Sequence, residues 1–525
     1  MRFFTCLLGQ SAAAYPVVPG LHRITTFDGV KLTANSFQPV TVDKTAKFPV
    51  VIFGNSWDSP GTEYVGYEKS WAAEGYVVLE YEARGWFTSG GHCTGAGPEE
   101  MKDVSAVIDW ILETFPHADP SAIGFVGVSY GGGMGLLAAA HDKRIRAVVA
   151  MSAWADIEGA LNWNDSPSRL WGELLVLSGK VLGSLDPEMN TMWNNVMHHQ
   201  NMDKVQPWAA ERSPMHFLDQ LNENKPAVFM SHNHDDNLFH SVWAIELWEA
   251  LKIEKKIALN AGTHGSAELF PFAEADKLWG DGLSWMDRYL KGSKNGIDQP
   301  PLVEIQRQDN GLKGHYFGFE SWPPPSDQLA TLSFRMGPRQ SGVFGSLSTA
   351  RTTEQAQEVL QYAEKGVLTA GVFAVADAFK PVVPVKARLG EVDIRHNLVF
   401  ATASMQATTV CGWPKLTGLA VVPTEDKFQL VFYLYSVDLS SKVGNLMTHS
   451  VYTSWEAKPG VQNAVNDVSF HSTCFEVPAG HGLALGIDMY DFLYEPASTK
   501  GNVTVVYPLS ASLQLPVLHQ HSVVV

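Results

Sequence analysis

The segment Gly127-Val128-Ser129-Tyr130-Gly131 matches a G-x-S-x-G pattern, in which the central serine can act as a nucleophile. An apolar run at 123–128 leads into the pattern, and a helix-forming run at 134–140 follows it. A strand, a sharp turn and a helix in this order expose the serine hydroxyl above a sheet, where it can attack a carbonyl carbon. Ser129 is therefore a candidate nucleophile for acyl transfer. The alternative is a glycine-rich turn whose serine only caps the helix.

A serine nucleophile needs a general base and an acid that orients the base. The stretch 226–230 is typical of a strand and runs into Asp235 and Asp236; the stretch 256–260 is typical of the next strand and runs into His264. Sites in open α/β sheets form at such carboxyl ends of strands. We therefore predict His264 as the base. Asp236 is the preferred acid, because a turn residue must precede the acid, and Asp235 stays open because its spacing from the strand also fits.

The same region contains the beginning of a metal-binding pattern. His232-x-His234-x-Asp236 resembles the start of the metallo-hydrolase motif H-x-H-x-D-H, but Asn237 replaces the last histidine. A catalytic zinc needs at least three protein ligands, and no matching pattern follows downstream. We therefore predict neither a metal site nor a cofactor.

Length and composition limit the class of protein. A chain of 525 residues is too long for one core, so two or three domains are expected. The hydrophobic content of 45% is typical of an ordered globular protein, and no apolar run is long enough to span a membrane. A net charge of −17 argues against nucleic acid or an anionic membrane as partner.

The four cysteines and the N-terminus say little about the compartment. No Cys-x-x-Cys pair exists; Cys411 and Cys474 are close enough in sequence to pair, but buried free thiols are expected. Residues 1–14 weakly resemble a signal peptide, with one positive charge, a very short apolar core and an Ala-x-Ala site. Secretion and a cytoplasmic location therefore both stay open.

The order of predicted elements divides the chain into three parts. Residues 21–298 alternate strands and helices, which predicts an α/β domain with a mostly parallel sheet. Residues 154–222 interrupt this alternation with helical patterns rich in Trp and Met, interpreted as a cap over the site or, alternatively, as extra core helices. Residues 299–525 have short alternating strands, which predicts an all-β sandwich or jelly roll. Residues 1–20 are a separate N-terminal segment.

Several motifs resemble the Xaa-Pro dipeptidyl-peptidase and cocaine esterase-like (CocE/NonD) family of serine hydrolases, over nearly the whole chain. They are Arg84-Gly85 with Ser89-Gly90, Asp103–Trp110, Gly127–Gly132, Gly262–His264, Trp322–Pro325 and Val477–His481. The resemblance implies an α/β-hydrolase domain with a helical cap and a C-terminal jelly roll. It also implies a serine triad, here Ser129, His264 and Asp235 or Asp236.

Two positions depart from the family pattern. Members commonly place a tyrosine hydroxyl in the oxyanion hole, and Trp57 occupies that position here. Its indole N–H is a donor and could serve if it points inward; otherwise a backbone N–H from residues 55–58 is needed. The second expected donor is the backbone N–H of Tyr130. The usual acid before the Arg-Gly pair is also missing, and Glu82-Ala83 stands there.

These observations predict a serine hydrolase that cleaves an ester or amide bond through an acyl-enzyme. Xaa-Pro dipeptide release is the narrower activity within that class. It would need an acid for the free amine of the substrate, and the predicted cap offers Asp156, Glu158, Asp165 and Glu173 without singling one out. The expected partners are small esters, amides or short peptides, and a homo-oligomer stays open. The alternative is a catalytically weak hydrolase scaffold that acts as a binding module.

Overall fold

The computed structural model describes residues 14–308, 314–339, 342–350, 355–364, 368–369, 384–465 and 467–519. The signal-like segment predicted at residues 1–14 lies outside this part of the chain except for its last residue. In the described part, no helix is both long and apolar enough to cross a membrane.

The first third of the chain alternates strands and helices, as predicted. Its apolar runs are fully buried strands, because helices cover both faces of a parallel sheet. The elements are β1 (Val17–Thr25), β2 (Lys31–Pro39), β3 (Phe48–Gly54), α1 (Val65–Ala73), β4 (Val77–Tyr81), α2 (Pro98–Thr114), β5 (Ala118–Val128), α3 (Tyr130–His141) and β6 (Ile145–Met151).

The predicted helical insertion lies between this third and the next strand of the sheet. It consists of α4 (Ile157–Leu161), the short hairpin β7 (Asn162–Trp163) and β8 (Ser166–Pro167), α5 (Arg169–Leu182), α6 (Pro187–Met197), α7 (Met202–Ala210), a 3₁₀ turn (Pro214–Phe217) and α8 (Leu218–Asn224). The hairpin reaches the C-terminal half of the chain, where the Trp163 indole N–H donates to Ser450 Oγ at 3.2 Å.

The sheet is completed by β9 (Ala227–Asn233), α9 (Ser241–Ala250), β10 (Lys255–Asn260), α10 (Ser266–Leu269), α11 (Ala275–Leu290), β11 (Val303–Gln306) and β12 (Tyr316–Phe319). Its order is β1-β2-β4-β3-β5-β6-β9-β10-β11-β12, and the pairs from β4 to β11 are parallel. The sheet continues past the boundary predicted at residue 298, because β11 pairs with β10 and β12 then turns back along β11.

The described C-terminal part is built of strands, as predicted, apart from a 3₁₀ turn at Leu389–Glu391. Within these residues, twelve strands form one sheet and four form a second, and residues such as Phe334, Phe432 and Val505 make a shared core. The strands are β13 (Leu329–Gly337), β14 (Phe344–Ser348), β15 (Ala356–Gln361), β16 (Lys386–Arg388), β17 (Leu398–Ala401), β18 (Thr408–Gly412), β19 (Lys415–Thr417), β20 (Ala420–Pro423), β21 (Phe428–Asp438), β22 (Val443–Ser454), β23 (Asn463–Ala464), β24 (Val468–Ser469), β25 (Thr473–Val477), β26 (Gly482–Asp488), β27 (Asn502–Tyr507) and β28 (Ser512–Leu518).

The expectation of free thiols at Cys411 and Cys474 was wrong. The two residues form a buried disulfide. The reason is the strand register, since the antiparallel pairing of β18 with β25 places Cys411 directly opposite Cys474. Sequence spacing alone cannot give that register.

Buried histidines meet where the cap, the α/β sheet and the C-terminal β domain come together. The His240 ring lies 4.1 Å from the His471 ring, between centroids, and its Nδ1 is 2.9 Å from a His471 ring nitrogen. The His449 ring also contacts the His471 ring, with 4.6 Å between centroids, and the Trp163 ring of the cap lies 4.5 Å from the His240 ring. Burial, followed by the charges of His471, His449 and His232, lowers the pKa of His240 well below its ordinary value of 6.5.

The folded protein is expected to lose stability as the pH falls through about 6.5. Below that pH the unfolded chain protonates His240 whereas the folded chain does not. The free energy of unfolding therefore falls by up to about 1.4 kcal/mol for each pH unit. Thermal unfolding of the wild type and of His240→Asn, followed from pH 8 to pH 5, measures this loss. Asparagine keeps a polar atom near the Nδ1 position and cannot titrate, so the loss should shrink. It should be unchanged in His141→Asn, at an exposed site; equal losses in all three proteins would contradict the assignment.

Candidate active site

Ser129 lies at the sharp turn between β5 and α3. Its φ of 56° and ψ of −116° are strained for a residue with a side chain, and its N–H donates to Met151 O at 2.8 Å. A Cβ on Gly131 would lie 1.9 Å from Gly54 O, so only glycine permits α3 to pass so close to β3. The turn is the predicted strand–turn–helix context, and it presents the serine hydroxyl at the carboxyl edge of the sheet.

His264 reaches Ser129 from the loop that follows β10. Its Nε2 lies 2.8 Å from Ser129 Oγ, and its Nδ1 lies 2.8 Å from Asp236 Oδ2. The three side chains come from three separate loops and form one continuous hydrogen-bonded row. The geometry is that of a nucleophile, a base and an acid that orients the base.

Asp236 is completely buried and is held in place from both sides. Its Oδ1 accepts the backbone N–H groups of Leu238 at 3.0 Å and Phe239 at 2.8 Å. Burial opposes its ionisation, but His264, His232 and the Phe239 N–H outweigh burial and lower the pKa of Asp236 below its ordinary value. The carboxyl group is therefore ionised at neutral pH and fixes the orientation of His264.

Asp235, the alternative acid, points to a different partner. Its Oδ2 accepts the Gln308 side-chain N–H at 2.7 Å, and Gln308 Oε1 in turn accepts the backbone N–H of Cys474 at 2.8 Å. Asp235 thus links the acid-bearing loop to the disulfide-bonded strand of the C-terminal domain. The structure brings Asp236, not Asp235, to His264.

The indole of Trp57 does not present its N–H to the space above Ser129. Its Nε1 donates to Leu175 O of α5 at 3.1 Å, while the ring packs against Tyr130 and Trp86. The physical reason is the cap, whose helix α5 places a carbonyl within reach of the indole. In this structure the predicted role of the Trp57 side chain in the oxyanion hole is therefore not supported.

Backbone groups are the remaining candidates for the oxyanion hole. The Ser56 N–H donates to Glu63 Oε2 at 2.8 Å. Of the predicted backbone donors at 55–58, those of residues 55, 57 and 58 therefore remain candidates. The Tyr130 N–H lies in the first turn of α3. Backbone N–H groups there have no acceptor within the helix and can donate to the oxyanion of a reacting acyl group. The Tyr130 hydroxyl is anchored elsewhere, since it accepts the Ala96 N–H at 3.2 Å.

The histidines of the metal-like pattern serve the fold. His232 Nε2 contacts Phe239 O at 2.6 Å, and His234 contacts Gln306 O and Ser472 Oγ through its two ring nitrogens. Within the described ranges, no three or more His, Cys, Asp or Glu side chains are arranged to hold a metal ion.

An apolar cavity of about 110 Å³ opens beside Ser129 beneath the cap. Its walls include Trp154, Leu175, Met189, Met192, Trp193 and Trp208. Among the side chains that line it in the described part of the chain, Glu158 of α4 is the one carboxylate. Burial, followed by nearby Asp156, raises the pKa of Glu158 above its ordinary value. Sequence reasoning did not distinguish Glu158 from the other acids of the cap, because only tertiary packing aims it into the cavity.

Two protein-family models match separate parts of the chain. Residues 28–170 match the model of the X-Pro dipeptidyl-peptidase (S15 family), and residues 295–512 match the model of the X-Pro dipeptidyl-peptidase C-terminal non-catalytic domain. The chain is 23% identical over 279 residues to a Bacillus cereus protein named "Putative Xaa-Pro dipeptidyl-peptidase", covering 50% of this chain and 46% of that protein. The chain thus spans about half the length of the curated relatives it matches.

Solved structures share the fold across both domains. A CocE/NonD family hydrolase from Staphylococcus aureus superposes with a TM-score of 0.73 at 14% identity, covering 96% of this chain and 94% of that one. An α-amino acid ester hydrolase superposes with a TM-score of 0.72 at 14% identity, covering 98% and 100%. The predicted resemblance and the predicted α/β-hydrolase fold with a C-terminal β domain are confirmed.

Proposed function

We propose that this chain, which matches the model of the X-Pro dipeptidyl-peptidase (S15 family) over residues 28–170 and the model of its C-terminal non-catalytic domain over residues 295–512, cleaves ester or amide bonds by covalent serine catalysis. The observation that carries the proposal is the hydrogen-bonded row from Ser129 Oγ through His264 to buried Asp236. A serine that only capped α3 would not need a histidine at its hydroxyl, and no side-chain cap bond from Ser129 to α3 is present.

The reaction proceeds in two steps. His264 Nε2 takes the Ser129 proton as Oγ attacks the carbonyl carbon, and the oxyanion accepts the Tyr130 N–H. The tetrahedral intermediate collapses when His264 returns the proton to the leaving alcohol or amine, which leaves an acyl-Ser129. Water, deprotonated by His264, then attacks the acyl carbon, and Ser129 recovers its proton. Asp236 stabilises the imidazolium in both steps.

The cavity favours an apolar group next to the bond that is cleaved. Its walls are mostly indole rings, thioethers and aliphatic side chains, which offer dispersion contacts to an apolar group. We therefore propose that an apolar acyl group or side chain fills it. Glu158 is the exception. Burial and the nearby charge of Asp156 make its ionised form unfavourable, and pairing with a cation would offset that cost. A substrate ammonium, such as the free N-terminus of a peptide, supplies that cation.

Paired substrates test the substrate class and the role of Glu158. Wild-type protein is expected to cleave Ala-Pro-p-nitroanilide faster than its N-acetylated form. Glu158→Gln should raise KM for the free-amine substrate about tenfold, because an amide cannot neutralise an ammonium, and should leave the acetylated substrate unaffected. Glu173→Gln, at an exposed position of α5, is the matched control and should change neither.

Two results would decide against the amine-dependent peptidase. Equal rates on the free and the acetylated anilide would remove the amine requirement. Turnover of phenyl esters alone, with no anilide cleavage, would restrict the activity to that of an esterase. Each of these results leaves the serine mechanism intact, since every one of these substrates would acylate Ser129.

A further inference from the structure

We infer that Ser152, backed by Asn233 and Glu268, is a positioning residue that holds the loop of His264 in register with Ser129. This inference rests on the proposed serine mechanism. None of the three side chains contacts a member of the triad. Their hydrogen bonds instead join the end of β6, the end of β9 and the start of α10 to the backbone beside the proposed base.

Ser152 directly follows β6 and has a left-handed backbone. Its φ is 44°, a region that costs energy for a residue with a side chain. Its N–H donates to Ser231 O at 2.7 Å, and its Oγ accepts the Gly265 N–H at 3.1 Å. Gly265 is the residue after His264, so the Ser152 hydroxyl binds the backbone directly beside the proposed base.

Asn233 and Glu268 fix the hydroxyl of Ser152 from behind. The Asn233 side-chain amide donates to Ser152 Oγ at 2.9 Å and to Glu268 Oε2 at 2.8 Å. Glu268 Oε1 accepts the Ser231 hydroxyl at 2.7 Å. The four residues of this network, Ser152, Ser231, Asn233 and Glu268, are each at most 1% exposed.

The position of Glu268 ties this network to the triad through the chain. It lies on α10, four residues after His264, and its main-chain carbonyl accepts the Trp279 indole N–H at 3.0 Å. The chain directly after His264 is thereby held at two points, at Gly265 by Ser152 and at Glu268 by the β9 side chains of Ser231 and Asn233. Proton transfer needs His264 Nε2 within hydrogen-bond reach of Ser129 Oγ, and a displacement of about 1 Å can cost about 100-fold in rate.

The left-handed backbone of Ser152 provides a test that separates positioning from folding. Glycine adopts positive φ without strain, so Ser152→Gly removes the hydroxyl while keeping or improving the local backbone. We expect kcat to fall about tenfold or more, with KM within about twofold of wild type, in a protein that remains folded because relief of the backbone strain offsets part of the cost of the two N–H groups left without an acceptor. The rate of fluorophosphonate labelling at Ser129 should fall in parallel, because it depends on the same proton transfer.

Lys225→Gly is the matched control. Lys225 also has a left-handed φ, of 54°, but it is exposed at the end of α8 and does not approach the site. It should retain the wild-type kcat with the same relief of backbone strain. Rates are normalised to the concentration of active sites, so that loss of folded protein cannot imitate loss of turnover.

Glu268→Gln tests whether the carboxylate acts through Ser152. The substitution keeps the shape but places an N–H against donors on Ser231 or Asn233, so kcat should fall with KM unchanged. Ser152→Gly combined with Glu268→Gln should be no slower than Ser152→Gly alone, because both changes break one path. Multiplied effects in the double variant would overturn this path.

The possible failures are distinguishable. Wild-type kcat in Ser152→Gly would overturn the positioning role and leave the triad standing. A fall in Tm that accounts for the whole loss of activity, with normal turnover per active site, would mean a purely structural role. Absence of labelling at Ser129 in the wild type would instead remove the proposed function, and the positioning role with it.

Discussion

Ser129→Ala is expected to reduce kcat on any ester or amide substrate by about 10⁶-fold, without unfolding the protein. The hydroxyl supplies the bond to the acyl group, and His264 has nothing to activate without it. The serine sits in a tight turn whose shape depends on the neighbouring glycines, so alanine keeps the local packing. Initial rates at saturating substrate, with thermal unfolding measured in parallel, provide the comparison.

Ser121→Ala is the control for this experiment. Ser121 is exposed near the start of β5, on the same strand as the nucleophile, and bonds only to nearby Asp119. It should retain wild-type turnover. Residual activity of Ser129→Ala above a few per cent of wild type, in protein free of wild-type contamination, would mean that another group performs the attack.

Asp236→Asn is expected to reduce kcat by about 10⁴-fold, whereas Asp235→Asn changes it by less than about tenfold. The Asp236 carboxylate accepts the Nδ1 proton of His264, and an asparagine amide there would hold the wrong tautomer. Asp235 instead accepts from Gln308, and asparagine can keep that acceptor with its carbonyl oxygen. The two substituted positions are adjacent in sequence, but Asp236 contacts His264 whereas Asp235 contacts Gln308.

Kinetics of the two variants from pH 6 to pH 9 measure this contrast. The Asp236→Asn protein should remain folded, because Asn can still accept the Leu238 and Phe239 N–H groups with its oxygen. The reverse ranking, with Asp235→Asn the slower enzyme, would assign the acid to Asp235 and contradict the geometry described above.

The contact between Ser129 and His264 was predictable because both residues stand in recognisable local patterns. The strand–turn–helix around Ser129 and the glycine-flanked loop of His264 are visible in sequence, and the order of strands places both at one edge of the sheet. The choice between Asp235 and Asp236 was not, since it depends on how a single turn after β9 directs two adjacent side chains. Gln308, 73 residues further along, captures one of them.

The features that sequence reasoning missed all depend on long-range packing. Trp57 donates to a carbonyl 118 residues away, which no local pattern encodes. Cys411 and Cys474 pair because two distant strands share a register. No sequence pattern distinguishes Glu158 or Ser152 from other residues of their type. The proposed role of Glu158 follows from its place in the cavity wall, and that of Ser152 follows from its hydrogen bond to the Gly265 N–H.

The most direct test is covalent labelling with a fluorophosphonate probe, followed by peptide mapping, on the wild type and on Ser129→Ala. If Ser129 is the activated nucleophile, the wild type gives one labelled peptide that contains Ser129, and the variant gives no label at that peptide. An activated serine reacts because His264 removes its proton, so labelling reports the triad without any assumption about the substrate. A folded wild-type protein that takes up no label would contradict the proposed serine mechanism and favour a hydrolase scaffold that acts as a binding module.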